Sequence, residues 1–89
     1  MLIALMARDN PGALQIRLDN RDDHLAYLKQ SGVVSQAGPF LDEGGEMVGS
    51  LIILDVSDMS AAEEWSKDDP YAKAGLFAEV KLIMWKKVI

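Results

Sequence analysis

The chain has 89 residues, which fits one domain spanning residues 1–89, and its 49% hydrophobic content excludes a disordered chain. Nine Lys+Arg against fourteen Asp+Glu give a net charge of −5, which disfavours nucleic acid as a partner because phosphates would be repelled. The lack of cysteine excludes disulfides, thiol nucleophiles and Cys-based zinc sites, and it fits a reducing cytoplasm, which is the expected location.

The first third of the chain predicts a strand followed by a helical region. The apolar run 2–7 is typical of a strand buried on both faces, and it lacks the basic residues that would precede the core of a secretory leader. Asn10 is predicted to cap a helix whose first residue is Pro11. The helical region extends to about residue 30 and ends at Gly32, with a joint at 19–20 where Asn20 caps a second segment.

The remaining pattern predicts two strands, a helix and a last strand. A short strand at 33–37 is expected to stop at Gly38-Pro39, and the next strand covers 47–56. Ser60-x-x-Glu63 matches a capping box and predicts a helix that stops before Pro70. Residues 77–89 form the final strand. The order βαββαβ predicts an α+β, ferredoxin-like fold with a four-stranded antiparallel sheet and both helices on one face.

The third strand of this fold is apolar on both faces. One face is expected to carry Val48, Ser50, Ile52 and Leu54, and the other Met47, Gly49, Leu51 and Ile53. An apolar sheet face usually marks an interface, so we expect a homodimer packed through this face. The alternative is that the C-terminal residues fold across it. No apolar run approaches 18 residues, so no membrane contact is expected.

His24 is the only histidine and therefore the main candidate for proton chemistry. Helical spacing sets it on the same face as Arg21. The plainer interpretation is a surface or half-buried helix histidine that is satisfied by water. Asp69 is held extended by Pro70 and could orient an imidazole, although an aspartate at this point could equally cap the next turn.

The candidate substrate-binding residues are Arg17, Arg21, Ser50 and Tyr71. Two arginines four residues apart could hold an anion together, unless they pair with acids on the solvent face. Gly49 in a bulky strand marks a close approach, and Ser50 beside it could bond a ligand or be an ordinary strand serine. No metal motif and no phosphate loop occurs, and neither a metal nor a cofactor is expected.

Together these residues resemble the YciI-like proteins, or YCII-related domain, over essentially the whole chain. The resemblance rests on the order and spacing of Arg21-x-x-His24-Leu25, Gly38-Pro39, Gly49-Ser50, Asp69-Pro70-Tyr71, Ala74-Gly75 and Lys86-Lys87-Val88. It implies a dimeric α+β barrel and an active-site pair of His24 and Asp69 with Ser50 near the pocket. It further implies small-molecule chemistry of the muconolactone-isomerase or dehydrochlorinase kind. Asp22 departs from the proline that follows the arginine in some members.

The leading hypothesis is an enzyme that moves a proton on a small anionic organic molecule, by isomerisation or elimination. His24 would be the general acid/base, Asp69 would orient it, and Arg21 or Arg17 would hold a substrate carboxylate. The alternatives are a dimeric module that binds a small ligand without turnover, and a purely structural dimer.

Overall fold

The computed structural model describes residues 1–89, which form one antiparallel sheet and a layer of helices. The elements in chain order are β1 (Leu2–Asp9), α1 (Leu14–Asp19), α2 (Arg21–Ser31), β2 (Val34–Leu41), β3 (Met47–Asp55), α3 (Met59–Asp68), α4 (Pro70–Lys73) and β4 (Phe77–Trp85). The strands lie in the order β2-β3-β1-β4, and all neighbours are antiparallel. The predicted ferredoxin-like βαββαβ fold is confirmed, with each helical region divided into two helices.

The core lies between the sheet and the helices. Every second residue of β1 faces the helices, and these residues pair with the inward residues of β3 and pack against Leu28 of α2 and Trp65 of α3. The sheet residues of this core are Ile3, Leu5, Ala7, Ile52 and Leu54. None of the helices has the length and the apolar run that a bilayer span requires.

The first helix starts later than predicted. Gly12 has a φ of +72°, which a right-handed helix cannot include, so Pro11-Gly12 forms a turn and α1 begins at Leu14. The Asn10 side chain does not cap α1 but donates to the carbonyl of Gly75 at 3.1 Å. Asn20 does mark the joint between α1 and α2, but its amide donates backwards to the carbonyl of Ile16 at 2.8 Å.

Other boundaries also differ from prediction. Strand β2 continues through Gly38-Pro39 to Leu41, because β2 is an edge strand and a proline there need not lose a ladder hydrogen bond. Asp58, not Ser60, caps α3 by accepting the N–H of Ala61 at 2.8 Å. The last strand ends at Trp85, and residues 86–89 are exposed rather than folded across the sheet.

A shift of register in β3 changes the faces predicted for its first residues. The pairing of β2 with β3 slips between Phe40 and Leu41, opposite residues 47–49. Met47 consequently lies with Ser50 on the helix side, and Val48 lies with Phe40 on the other side, the reverse of the prediction for these two. Ser50, Ile52 and Leu54 keep their predicted face.

Candidate active site

A cavity of about 170 Å³ lies between α2 and the β2–β3 half of the sheet. Its polar wall consists of Arg17, Arg21, His24, Ser50 and Tyr71. Its apolar wall consists of Leu25, Leu28, Ala37, Gly38, Pro39, Met47 and Ile52. Five of the six residues predicted from the sequence therefore line one cavity, and the sixth, Asp69, lies directly behind His24.

His24 and Asp69 are both buried and in direct contact. The Nδ1 atom of His24 lies 2.7 Å from Oδ1 of Asp69, and the two side chains are 7% and 1% exposed. The same oxygen accepts the backbone N–H of Tyr71 at 3.0 Å. Because a carboxylate oxygen accepts, the hydrogen belongs on Nδ1 of His24, which leaves the Nε2 lone pair free. Nε2 makes no hydrogen bond within the chain, and the imidazole lines the cavity.

Local sequence explains how Asp69 reaches this position. Pro70 is the first residue of α4 and keeps Asp69 extended, with a φ of −61° and a ψ of 126°. Asp69 therefore caps α4 and contacts His24 at once, so the two roles weighed for it are compatible. Its Oδ2 atom is buried and accepts no hydrogen bond, so Oδ1 carries every polar contact of this carboxylate.

Tyr71 forms the floor beneath His24. The two rings are stacked, with centroids 3.8 Å apart and planes 12° from parallel. The guanidinium carbon of Arg17 lies 4.8 Å from the centre of the tyrosine ring. Burial raises the pKa of Tyr71 above its ordinary value, and the nearby charges of Arg17 and Arg21 offset part of that rise. The phenol is therefore neutral at physiological pH, and the ring of Tyr71 packs beneath His24 and lines the cavity.

Arg17 is not a free anion-binding group. Its Nε and Nη2 atoms donate to the two oxygens of Asp9, each at 2.8 Å, and Nη2 also donates to Oγ of Ser50 at 2.9 Å. Burial opposes its charge but the bonded Asp9 outweighs this, so the pKa of Arg17 is raised further. The fork that would clasp a substrate carboxylate already holds Asp9.

Arg21 differs from Arg17 in both respects. Its residue is exposed, and it forms no ion pair within the chain, neither with Asp22 nor with Asp23. It lines the mouth of the same cavity. Of the two arginines, Arg21 is the one whose guanidinium makes no bond within the chain, whereas only Nη1 of Arg17 lies outside the bonds to Asp9 and Ser50.

Asp9 is the residue of this region that the sequence interpretation missed. It continues the inward series of β1 two residues after Ala7, and Arg17 follows buried Ala13 by one helical turn. Extending the strand alternation by one step would have directed Asp9 under the helices. Nowhere in the chain do three His, Asp or Glu side chains converge as a metal ion would require.

Comparison with known proteins gives this geometry a context. An uncharacterised protein of Haemophilus influenzae is 36% identical, and the protein YciI of Escherichia coli O6:H1 is 34% identical, each alignment covering 99% of both chains. Among solved structures, the 5-chloro-2-hydroxyhydroquinone dehydrochlorinase TftG from Burkholderia phenoliruptrix AC1100, in complex with 2,5-dihydroxybenzoquinone, is 35% identical. It superposes with a TM-score of 0.88 over 97% of this chain and 94% of its own. The YCII-related domain model matches residues 1–86, and the chain belongs to that family.

Proposed function

We propose that this protein is an enzyme that moves a proton on a small organic acid, by isomerisation or by elimination of a leaving group such as chloride. The observation that carries the proposal is the 2.7 Å contact between Nδ1 of His24 and Asp69 in the wall of a cavity, with Nε2 unpartnered. An imidazole oriented in this way is suited to general acid–base catalysis near neutral pH. The 35% identity to a dehydrochlorinase supports the same reaction class.

In the elimination, neutral His24 accepts through Nε2 a proton from the substrate. The electron pair of the broken bond to hydrogen forms a new π bond, and chloride leaves a tetrahedral carbon with the pair of the carbon–chlorine bond. A chlorinated hydroxyhydroquinone reaches this state when one hydroxyl loses its proton to become a carbonyl and the chlorine-bearing carbon takes up a proton. Asp69 stabilises the imidazolium that forms, through the Nδ1 hydrogen bond. His24 then returns its proton to water, so the substrate loses H⁺ and Cl⁻ and no oxidant or reductant is consumed. In an isomerisation, His24 would return the proton to a second carbon of the substrate.

The substrate is expected to be small, unsaturated and anionic. A cavity of about 170 Å³ has room for a single ring, and one wall is apolar. Arg21 supplies an unpaired positive charge at its mouth. A chlorinated hydroxyhydroquinone, whose phenolic hydroxyls can lose a proton, fits the elimination, and a small unsaturated carboxylic acid fits the isomerisation.

The test measures chloride release from 5-chloro-2-hydroxyhydroquinone without oxygen, and deuterium uptake from D2O into unsaturated acids. We expect His24→Asn, which keeps a donor towards Asp69, to lower either rate about 10²- to 10⁴-fold. Asp23→Asn, a change at the exposed neighbouring residue, is the control. Equal rates in wild type and His24→Asn would refute the mechanism. If the protein binds 2,5-dihydroxybenzoquinone but turns over neither the chlorinated hydroxyhydroquinone nor the unsaturated acids, the non-catalytic binding module would be favoured.

We further propose that a second copy of the chain covers the sheet face that carries no helices. We define the open sheet face by four large apolar residues, Phe40, Val48, Ile83 and Trp85. Each of them is 38–51% exposed. Only 19 residues are buried, a small core for a chain that stands alone. The patch carries both signs of charge, since Glu79 lies 3.6 Å from Arg8 and 3.3 Å from Lys81. A patch with both signs can match itself across a two-fold axis.

A further inference from the structure

The hydrogen-bonding state of Ser50 is determined by a charged pair behind it. Ser50 is 3% exposed and lines the cavity, and its Oγ accepts an N–H from Arg17 at 2.9 Å. A guanidinium can only donate, so the Ser50 oxygen is the acceptor in this bond. The hydroxyl still has one hydrogen to donate, and no acceptor within the chain takes it. That hydrogen is therefore available to a molecule in the cavity.

Asp9 determines where Arg17 points. Both oxygens of Asp9 accept from Arg17 in a two-pronged contact of 2.8 Å each, and the two side chains are 6% and 3% exposed. Planar, two-pronged contacts of this kind fix orientation as well as position. With Nε and one hydrogen of Nη2 held by Asp9, the second hydrogen of Nη2 is the one that reaches Ser50.

We propose that Asp9 is a positioning residue which, through Arg17, makes Ser50 a hydrogen-bond donor to an acceptor oxygen of the substrate. This inference rests on the function proposed for the cavity, and it narrows the substrate class. The substrate presents a carbonyl or an oxyanion at Ser50, while its charged group faces Arg21. An amine or an amide N–H at the same point could use only the second lone pair of Oγ and would leave the hydroxyl hydrogen unpaired, so it should bind more weakly than an acceptor oxygen. Asp9 itself does not touch the substrate.

The experiment is a set of titrations with 2,5-dihydroxybenzoquinone, which offers oxygen acceptors around its ring. We expect Ser50→Ala to weaken binding about 10-fold, because one hydrogen bond to a charged or conjugated oxygen is lost. Asp9→Asn should weaken it to a similar extent. Once Asp9→Asn is present, Ser50→Ala should add less than about 2-fold, because the hydroxyl is no longer aimed. A residue that only supports the fold would not produce this non-additivity.

A second variant covers the case in which Asp9→Asn does not fold with an unpaired buried arginine. Arg17→Lys keeps a positive charge beside Asp9 but has no fork to reach Ser50, and its coupling with Ser50→Ala is measured in the same way. Full additivity in either background, or wild-type affinity in Ser50→Ala, would overturn the inference and leave the His24 chemistry intact. A wild-type protein that fails to bind the quinone would instead count against the proposed function, and this inference would fall with it.

Discussion

Oδ1 of Asp69 accepts two hydrogen bonds, one from Nδ1 of His24 at 2.7 Å and one from the backbone N–H of Tyr71 at 3.0 Å. The first bond orients the imidazole of the candidate site, and the second caps α4. One oxygen thus links the start of a short helix to the position of a ring 45 residues earlier in the chain. The two functions of Asp69 can be separated by a single substitution.

Asp69→Asn should reduce turnover while changing the fold little. Asparagine caps a helix about as well as aspartate, so Tyr71 keeps its partner and the free energy of unfolding should change by about 1 kcal/mol or less. The amide oxygen can still accept from Nδ1 of His24, but the amide carries no charge to stabilise the imidazolium. We expect the rate of chloride release or deuterium uptake to fall about 10²- to 10⁴-fold.

The matched control for this prediction is Asp58→Asn. Asp58 also caps a helix, accepting the N–H of Ala61 at 2.8 Å, but it lies on the surface away from His24. It should have the same small effect on unfolding and none on turnover. If the two asparagine variants had the same activity, Asp69 would be a cap and nothing more.

Gly49 should not tolerate a side chain. A Cβ atom at this position would lie 2.3 Å from the carbonyl oxygen of Ala7 and 3.2 Å from the ring of Phe40. The first contact is with backbone, which cannot move without disturbing β1. We expect Gly49→Ala to lower the free energy of unfolding by about 1–3 kcal/mol in a denaturant titration.

Gly38→Ala is the control for Gly49. It lies in β2, a neighbouring strand, has no positive φ, and meets nothing within 4 Å of an added Cβ. Its effect on the free energy of unfolding should be within about 0.5 kcal/mol. Equal stability of the two variants would mean that the carbonyl of Ala7 does not approach Gly49 closely enough to exclude a methyl group.

The sequence predicted the fold from local rules, whereas the pairing of His24 with Asp69, which lie 45 residues apart, was implied by the family resemblance. Alternating and continuous apolar runs define strands, and a proline fixes the residue before it, so Asp69 could be recognised as a held carboxylate. Contacts between elements were harder. Strand alternation directs Asp9 towards the helices, but its pairing with Arg17 depends on how α1 lies over β1, which alternation does not encode.

Two other errors, one in a strand boundary and one in the faces of a strand, had similar causes. Gly38-Pro39 usually ends a strand, but its effect depends on whether the strand is at the edge of the sheet, which only the tertiary fold decides. The reversed faces of Met47 and Val48 follow from an irregularity in the β2–β3 pairing. A shift of one residue exchanges the two faces of a strand, and the residue types at 47–49 do not predict such a shift.

Tyr27 should make the protein less stable at high pH. Burial, followed by the charges of Asp68 and Asp69, raises the pKa of Tyr27 to about 12 from its ordinary 10.0. The folded state therefore holds this proton more tightly than the unfolded state does. Between pH 10 and pH 12 the unfolded state binds fewer protons, so the free energy of unfolding falls as the pH rises.

Tyr27→Phe tests this dependence. The variant loses the hydrogen bond to the carbonyl of Trp65 at 2.8 Å, so it should be less stable at neutral pH by about 1 kcal/mol. Its stability should nevertheless fall less steeply than that of wild type from pH 10 upwards, as measured by denaturant titrations at each pH. Parallel pH profiles for the two proteins would show that Tyr27 does not contribute.

The open sheet face should determine the oligomeric state. Ile83 is 51% exposed on this face, beside the groove formed with Met6, Phe40 and Val48. Ile83→Glu would set a carboxylate in each copy of a face-to-face dimer, where both would be removed from water, so the dimer should dissociate. Light scattering should give about twice 9.8 kDa for wild type and about 9.8 kDa for the variant.

Val88→Glu is the control, because it adds the same charge at an exposed residue beyond β4, and this variant should have the same mass as wild type. A wild-type mass near 9.8 kDa at micromolar concentration would refute the dimer directly, and a variant that stays dimeric would assign the interface to another surface.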